Sequence, residues 1–372
     1  MSAATSAPRV ACSIDALDVS VFRVPTDGGP ESDGTAVWDG TTMVFVEVRG
    51  GGATGIGYTY ADTATANVVR DELRPVLLGA DALETGKRFN DMQAAIRNMG
   101  RDGIASMAIS AVDVALWDLK GKLYGLPVCA MLGTARAAAP LYGSGGFTSY
   151  TIERLRDQLS GWVAAGIGSV KMKVGREPGR DVERVTQARR AIGDVAGLFV
   201  DANGAYSRKQ ALRMADFFAD VDVSWFEEPV YHQDFEGLRQ IRERAPSCMD
   251  IASGEYGYGL YHFWRMLQAQ TVDCLQADAS RCGGFSGLLA VDGLCQTAMM
   301  PLSTHCAPHL QLHAALACKM LRHMEYFYDH VRVERMFFDG VSDPVNGALV
   351  PDLHRPGIGL ELKRSDAAAY AL

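Results

Sequence analysis

Val170-Lys171-Met172-Lys173, Leu198-Phe199-Val200-Asp201 and Ser224-Trp225-Phe226-Glu227 are short apolar runs that each close on an ionisable residue. The same phrase recurs at Glu255, Asp278, His305 and Glu325, so the seven closing residues from Lys173 onward stand 28, 26, 28, 23, 27 and 20 positions apart. That interval is about the length of one strand plus one returning helix, which brings all seven to one rim of a parallel barrel. Leu141-Tyr142-Gly143-Ser144 supplies a strand ahead of the series and makes eight. Helical patterns over residues 151–165, 181–192, 208–218 and 285–298 fill gaps between the strands.

Upstream the rhythm differs. Residues 13–60 alternate apolar and polar positions around Gly50-Gly51-Gly52, predicting a small antiparallel sheet. The Gly-, Pro- and Asp-rich segment 25–34 predicts a mobile loop, and residues 62–125 predict helices closed by Gly125 and Pro127. At 372 residues the chain suits a barrel with a smaller companion unit. A net charge of −8 argues against a nucleic-acid surface or a basic membrane patch, and no run is apolar enough to span a bilayer. The eight cysteines contain no C-x-x-C pair, and residues 1–12 lack the basic start and apolar core of a secretory signal. A reducing, cytoplasmic setting is therefore expected.

Side chains at the C-terminal ends of barrel strands face the active site. Asp201, Glu227 and Glu255 would sit on three consecutive strands as hard oxygen ligands without a neighbouring thiolate or imidazole, a set suited to Mg²⁺ and chemically open to Mn²⁺. Lys171 and Lys173 share one strand face, where each ammonium lowers the other's pKa and fits one of them to act as a base. Asp278 can accept a hydrogen bond from one nitrogen of His305 and leave the other aimed at substrate. His309 and His313 follow His305 at four-residue spacing, but Pro308 intervenes, so they are expected on the next helix in packing or capping roles.

Together, Lys171-Met172-Lys173, Val200-Asp201-Ala202-Asn203-Gly204, Trp225-Phe226-Glu227-Glu228-Pro229, Gly254-Glu255, Asp278 with Arg281-Cys282-Gly283-Gly284, His305 and Glu325 resemble the mandelate racemase group of the enolase superfamily. Enolase-superfamily sites working with Mg²⁺ and a Lys or His base are a known pattern. The resemblance implies an α/β fold: a modified TIM barrel of (β/α)7β type over residues 138–328. An N-terminal α+β capping domain over residues 1–137 is completed by a C-terminal segment, 329–372. It further implies abstraction of the proton α to a carboxylate, with a metal-stabilised enediolate. One Mg²⁺ per subunit would be held by Asp201, Glu227 and Glu255. Lys173 and the His305/Asp278 dyad would be the two bases, with Lys171 on the substrate carboxylate and Glu325 a protonated hydrogen-bond donor.

Most activities in that group are dehydrations of polyhydroxy acids, so an acid-sugar dehydratase giving a 2-keto-3-deoxy product is the expected reaction. Racemisation or epimerisation of a 2-hydroxy acid or amino-acid derivative and lactone cycloisomerisation are the alternatives; a catalytically silent ligand-binding barrel is a different class, and the intact residue set argues against it. The family's lid maps to residues 25–38, with a second contact near Tyr58-Thr59-Tyr60. Asp27, Trp38, Tyr58 and Asn203 are the candidate substrate contacts, with Glu31, Ser32 and Asp33 as further polar lid residues. The resemblance also implies a homo-oligomer.

Overall fold

Eight parallel strands close into a barrel in the computed structural model, which describes residues 11–372: Ala139–Gly145, Ser169–Lys173, Gly197–Asp201, Val223–Glu227, Asp250–Ser253, Cys274–Ala277, Leu302–Thr304 and Leu321–Phe327. Each pairs in parallel with its successor, and the eighth returns to the first from Met324 opposite Leu141 to Phe327 opposite Ser144. The connecting helices are Ile152–Ala164, Pro178–Ile192, Arg208–Ala219, Phe235–Arg244, Leu260–Gln268, Gly284–Ala298 and Pro308–Ala317, so the architecture is (β/α)7β. The sequence reading of residues 1–10 lies outside the described residues.

Local signals set the helix starts. Thr151, Ser207 and Asp234 side chains accept the backbone N–H three residues on, and Pro178 and Pro308 occupy first-turn positions where no amide is needed. Inside the barrel, Phe199 stacks on Trp225 with centroids 5.3 Å apart, and Tyr142 leans on both. This aromatic floor lies beneath Lys171, whose Nζ is 5.3 Å from the Tyr142 ring centroid.

The cap is a three-stranded antiparallel sheet, Ala16–Pro25, Gly40–Gly50 and Ala53–Tyr60, crossed by the helix Ile104–Tyr124. Helix and sheet meet closely because Gly55 and Gly57 present no side chain: a Cβ on either would stand 2.1 Å from the Ala115 or Ala111 carbonyl oxygen. Asp118, buried on that helix, accepts from the Ile56 and Ile358 amides at 2.7 Å, joining the sheet to the C-terminal segment. The Leu372 amide donates to the Val21 carbonyl at 3.0 Å, joining the C-terminal segment to the first strand of the cap. Among the described residues no helix is long and apolar enough to cross a membrane.

The segment expected as a mobile loop carries a short hairpin, Glu31–Ser32 against Val37–Trp38, seated on the barrel. Ser32 Oγ lies 2.7 Å from Thr148 Oγ1, and the Tyr150 hydroxyl donates to Glu31 Oε1 at 2.8 Å. These partners lie more than a hundred positions away, so local composition could not reveal them. Glu31 is buried, and burial followed by a hydrogen bond to Asp329 pushes its pKa up to about 8. Its proton is thus held more tightly folded than unfolded, and stability should fall as pH rises from the ordinary carboxyl range, about 4.5, towards 8. Melting temperatures across that window should decline less steeply for Glu31→Gln; parallel slopes would contradict the assignment.

Candidate active site

Asp201 and Glu227 close the third and fourth barrel strands, and Glu255 follows the fifth. Gly254 makes that last placement possible: its φ is 140°, and a Cβ there would lie 2.1 Å from the Gln276 carbonyl oxygen. One oxygen from each of the three carboxylates lies within 4.8 Å of the other two, and all three residues are buried. The turns beyond carry non-glycine residues in the left-handed region, Asn203 at φ 47°, Glu228 at 38° and Cys306 at 51°. Such backbone strain concentrates at functional sites.

Two lysines from the second strand face this group. Lys171 Nζ stands 2.6 Å from Glu227, 2.8 Å from Glu325 and 3.4 Å from Asp201, while Lys173 Nζ is 2.5 Å from Asp201. Trp225 Nε1 donates to the other Glu227 oxygen at 2.9 Å. On the far side His305 Nδ1 meets Asp278 Oδ2 at 2.9 Å, and Nε2 lies 3.4 Å from Glu255 Oε2. The Ser280 amide donates to Asp278 at 2.7 Å, and Arg281 donates to the Glu255 carbonyl at 3.0 Å.

The charges differ from the sequence expectation in two places. Burial and Lys171 pull the Lys173 pKa down, but Asp201, Glu255 and Glu227 outweigh them and it is raised. The lysines and the carboxylates are visible in the sequence; the short distances between them are not. Glu325 was expected to be neutral, and burial favours that, yet Lys171, His305 and Lys173 hold its carboxyl well below the usual range. Its Oε2 accepts the Cys306 amide at 2.8 Å. For His305, burial opposes the charge, but Glu255 and Glu325 prevail and the pKa is raised. Against burial, the two lysines bring Asp201 down to about 2, whereas burial and Asp201 push Glu227 up to about 8.

This donor set fits a hard divalent cation. Three buried carboxylates converge, and Glu255 Oε2 has no hydrogen-bond partner. Oxygen-only ligation by Asp201, Glu227 and Glu255 suits Mg²⁺, which completes its octahedron with water or substrate oxygens.

The substrate-contact candidates divide. Asn203 stands beside the triad, its amide donating to Asp201 at 2.9 Å and its buried Oδ1 unpartnered. Trp38 donates to Asp329 at 3.3 Å and sets its ring edge-on to Phe147, tying the hairpin to the barrel. Asp27 is not brought to the triad: it accepts from the Tyr328 hydroxyl at 2.6 Å and pairs with Arg154. Nor is Tyr58, which is fully buried, stacked on Phe338 and donating to Glu334 at 2.7 Å. Its strand face packs the cap sheet onto the C-terminal segment, as does Tyr60, stacked on His330, while Thr59 bonds the Ser280 carbonyl of the barrel. Of the other lid acids, Glu31 anchors the hairpin and Asp33 caps its own turn through the Thr35 and Ala36 amides.

His309 pairs with Glu334 at 2.6 Å and His313 accepts the Cys129 amide at 3.2 Å, the packing roles expected of them. Glu228 accepts from Ser253 and stands outside the triad. Sequence reasoning missed roles for Arg281, Trp225 and Cys306, whose Sγ is 3.2 Å from His305 Nε2. Each lies within three residues of a recognised site residue, the one signal available.

Residues 17–133 match the N-terminal domain of mandelate racemase/muconate lactonizing enzyme, and residues 154–367 match the enolase C-terminal domain-like family. A mandelate racemase/muconate lactonizing enzyme-like protein from Rubrobacter xylanophilus superposes with a TM-score of 0.95 at 54% identity, covering 97% of this chain and 100% of that one. A 3,6-anhydro-alpha-L-galactonate cycloisomerase from Streptomyces coelicolor is 36% identical over 74% of this chain and 77% of its own. L-talarate/galactarate dehydratase from Salmonella typhimurium LT2, solved with Mg and L-lyxarohydroxamate, superposes with a TM-score of 0.88 at 27% identity, covering 100% and 97%.

Removing one partner from a buried ion pair leaves the others uncompensated, typically at about 3–5 kcal/mol. Lys171→Met should therefore destabilise the metal-free protein by roughly that amount, with Mg²⁺ restoring part of the loss. Denaturant titrations with and without Mg²⁺ read this directly, and an unchanged midpoint without metal would refute it.

Proposed function

The chain belongs to the mandelate racemase/muconate lactonizing enzyme group of the enolase superfamily, and from that premise we propose that it removes the proton α to an acid-sugar carboxylate and expels the β-hydroxyl. The product is a 2-keto-3-deoxy acid. The observation that carries this reading is that Lys173 and His305 flank one carboxylate triad, 2.5 Å from Asp201 and 3.4 Å from Glu255. A substrate held over the triad meets a proton-carrying group on each side, and β-elimination needs a base and an acid.

Lys173, freed of its proton where a cation in the triad would engage Asp201 in its place, accepts the α-proton as the neutral amine, and the imidazolium of His305, oriented by Asp278, delivers a proton to the departing oxygen; for the opposite C2 configuration His305, as the neutral imidazole, is the α-base. Lys171 binds the substrate carboxylate. Glu325, ionised, holds Lys171 and the His305 charge in place instead of donating a proton. One Mg²⁺ per chain at Asp201, Glu227 and Glu255, replaceable by Mn²⁺, supplies positive charge against the second negative charge that proton removal puts on the substrate. Asn203 contacts substrate beside the triad, and Trp38 closes the hairpin over it.

The 36% identity to a cycloisomerase favours a second reading, the same α-proton removal with a ring oxygen as leaving group. We further infer a reducing cytoplasmic compartment, supported by cysteines that are all free, and, as the general expectation for such enzymes, a closed homo-oligomer.

A Mg²⁺ assay across acid sugars should yield a 2-keto acid from at least one. Lys173→Ala and His305→Asn should each lower turnover by about 10²–10⁴-fold, the usual worth of a proton-transfer group, with calorimetry still finding one Mg²⁺ per chain. Full activity in either variant would overturn the assignment, and an inverted stereocentre without keto product would make the enzyme a racemase.

A further inference from the structure

Beside the oxygen triad lies a second group of donors of different chemistry. His305 Nε2, Cys306 Sγ and a Glu325 carboxylate oxygen all lie within 4.8 Å of one another, and all three residues are buried. Sγ is 3.2 Å from Nε2, and Glu325 Oε2 is 3.8 Å from it. Zinc bonds of about 2.0–2.3 Å in a tetrahedron place neighbouring ligand atoms roughly 3.4–3.6 Å apart, so these separations need change by only a few tenths of an ångström. We propose that His305, Cys306 and Glu325 form a soft-metal site that takes Zn²⁺ alongside the Mg²⁺ triad, and that filling it arrests the enzyme.

Three further features support the site. Asp278 holds the other imidazole nitrogen at 2.9 Å, the carboxylate–histidine arrangement that fixes ring orientation in zinc sites. Glu325 turns Oε2 towards this turn, accepting the Cys306 amide at 2.8 Å, while its Oε1 pairs with Lys171 at 2.8 Å. Cys306 is in the left-handed region at φ 51°, as is Ala307 at 35°, and this turn sets the thiol beside the ring of the preceding residue. A thiolate and an imidazole select zinc where the neighbouring carboxylates select magnesium, so the two metals need not compete for one position.

Binding forms a sulfur–metal, a nitrogen–metal and an oxygen–metal bond, releases waters of the hydrated ion in exchange and involves no oxidation. The Cys306 thiol loses its proton to solvent, as does Nε2 where the ring is an imidazolium. Fourth-position water or a substrate oxygen completes the tetrahedron. With its Nε2 occupied, His305 can no longer carry a proton; that arrest rests on the proposed reaction, whereas metal binding does not.

Co²⁺ serves as a chromophoric stand-in for Zn²⁺. Added to the Mg²⁺-saturated full chain, one equivalent should produce a thiolate-to-cobalt charge-transfer absorption that Zn²⁺ then abolishes. The absorption should vanish in Cys306→Ala, and in Cys306→Ser should the alanine variant fold poorly. Measured against its own zinc-free turnover, the variant should require at least tenfold more Zn²⁺ for inhibition. No charge-transfer absorption in the wild-type chain, or one undiminished in both variants, overturns the site. Unchanged zinc sensitivity in the variants would place the inhibiting ion at the oxygen triad and overturn the arrest. Because the absorption needs no substrate, failure to find a reaction leaves the binding test intact.

Discussion

Lys171 carries a buried ammonium at the centre of the barrel, and the rest of the site is arranged around it. Taking such a charge from water costs several kcal/mol, recovered only if close partners satisfy it. Glu227, Glu325 and Asp201, from three other strands, do so at 2.6, 2.8 and 3.4 Å. The aromatic floor of Tyr142, Phe199 and Trp225 closes the barrel below, so the ammonium cannot escape downward to water. Carboxylates brought together for a cation therefore also have a cation of their own. This explains how so many acids tolerate burial within a few ångströms.

The cap is bound to that centre by interactions of another kind. Gly55 and Gly57 let the long helix press on the cap sheet, Asp118, Tyr58 and Tyr60 tie the sheet to the C-terminal segment, and Thr59 docks it on the barrel through the Ser280 carbonyl. Trp38 and Glu31 then converge on Asp329, just beyond the eighth strand. The hairpin is thus anchored on the helix Tyr328–Phe337, which directly follows the strand that carries Glu325.

Much of this was legible in the sequence because barrel strands are short, buried and end where chemistry begins. Asp201 and Glu227 stand at their strand ends as the spacing requires, although Glu325 lies inside its strand, which runs on to Phe327 to pair with the first. The helix expected from residue 181 starts at Pro178, a first-turn proline that periodicity overlooks. What stayed hidden depends on three-dimensional neighbours. Alternation in the cap sheet cannot tell which face meets the barrel, hence Tyr58; composition cannot reveal that Thr148 and Tyr150 fix the hairpin. The opposite directions in which the Lys173 and Glu325 pKa values move follow from distances among charges on six strands, which no local pattern encodes.

The central claim is that Asp201, Glu227 and Glu255 hold a divalent cation between Lys173 and His305. Anomalous diffraction from crystals grown with Mn²⁺ tests it most directly. The account predicts one peak bounded by those three carboxylates, with the lysine and the imidazole on either side. A peak elsewhere, or none at saturating metal, would contradict it.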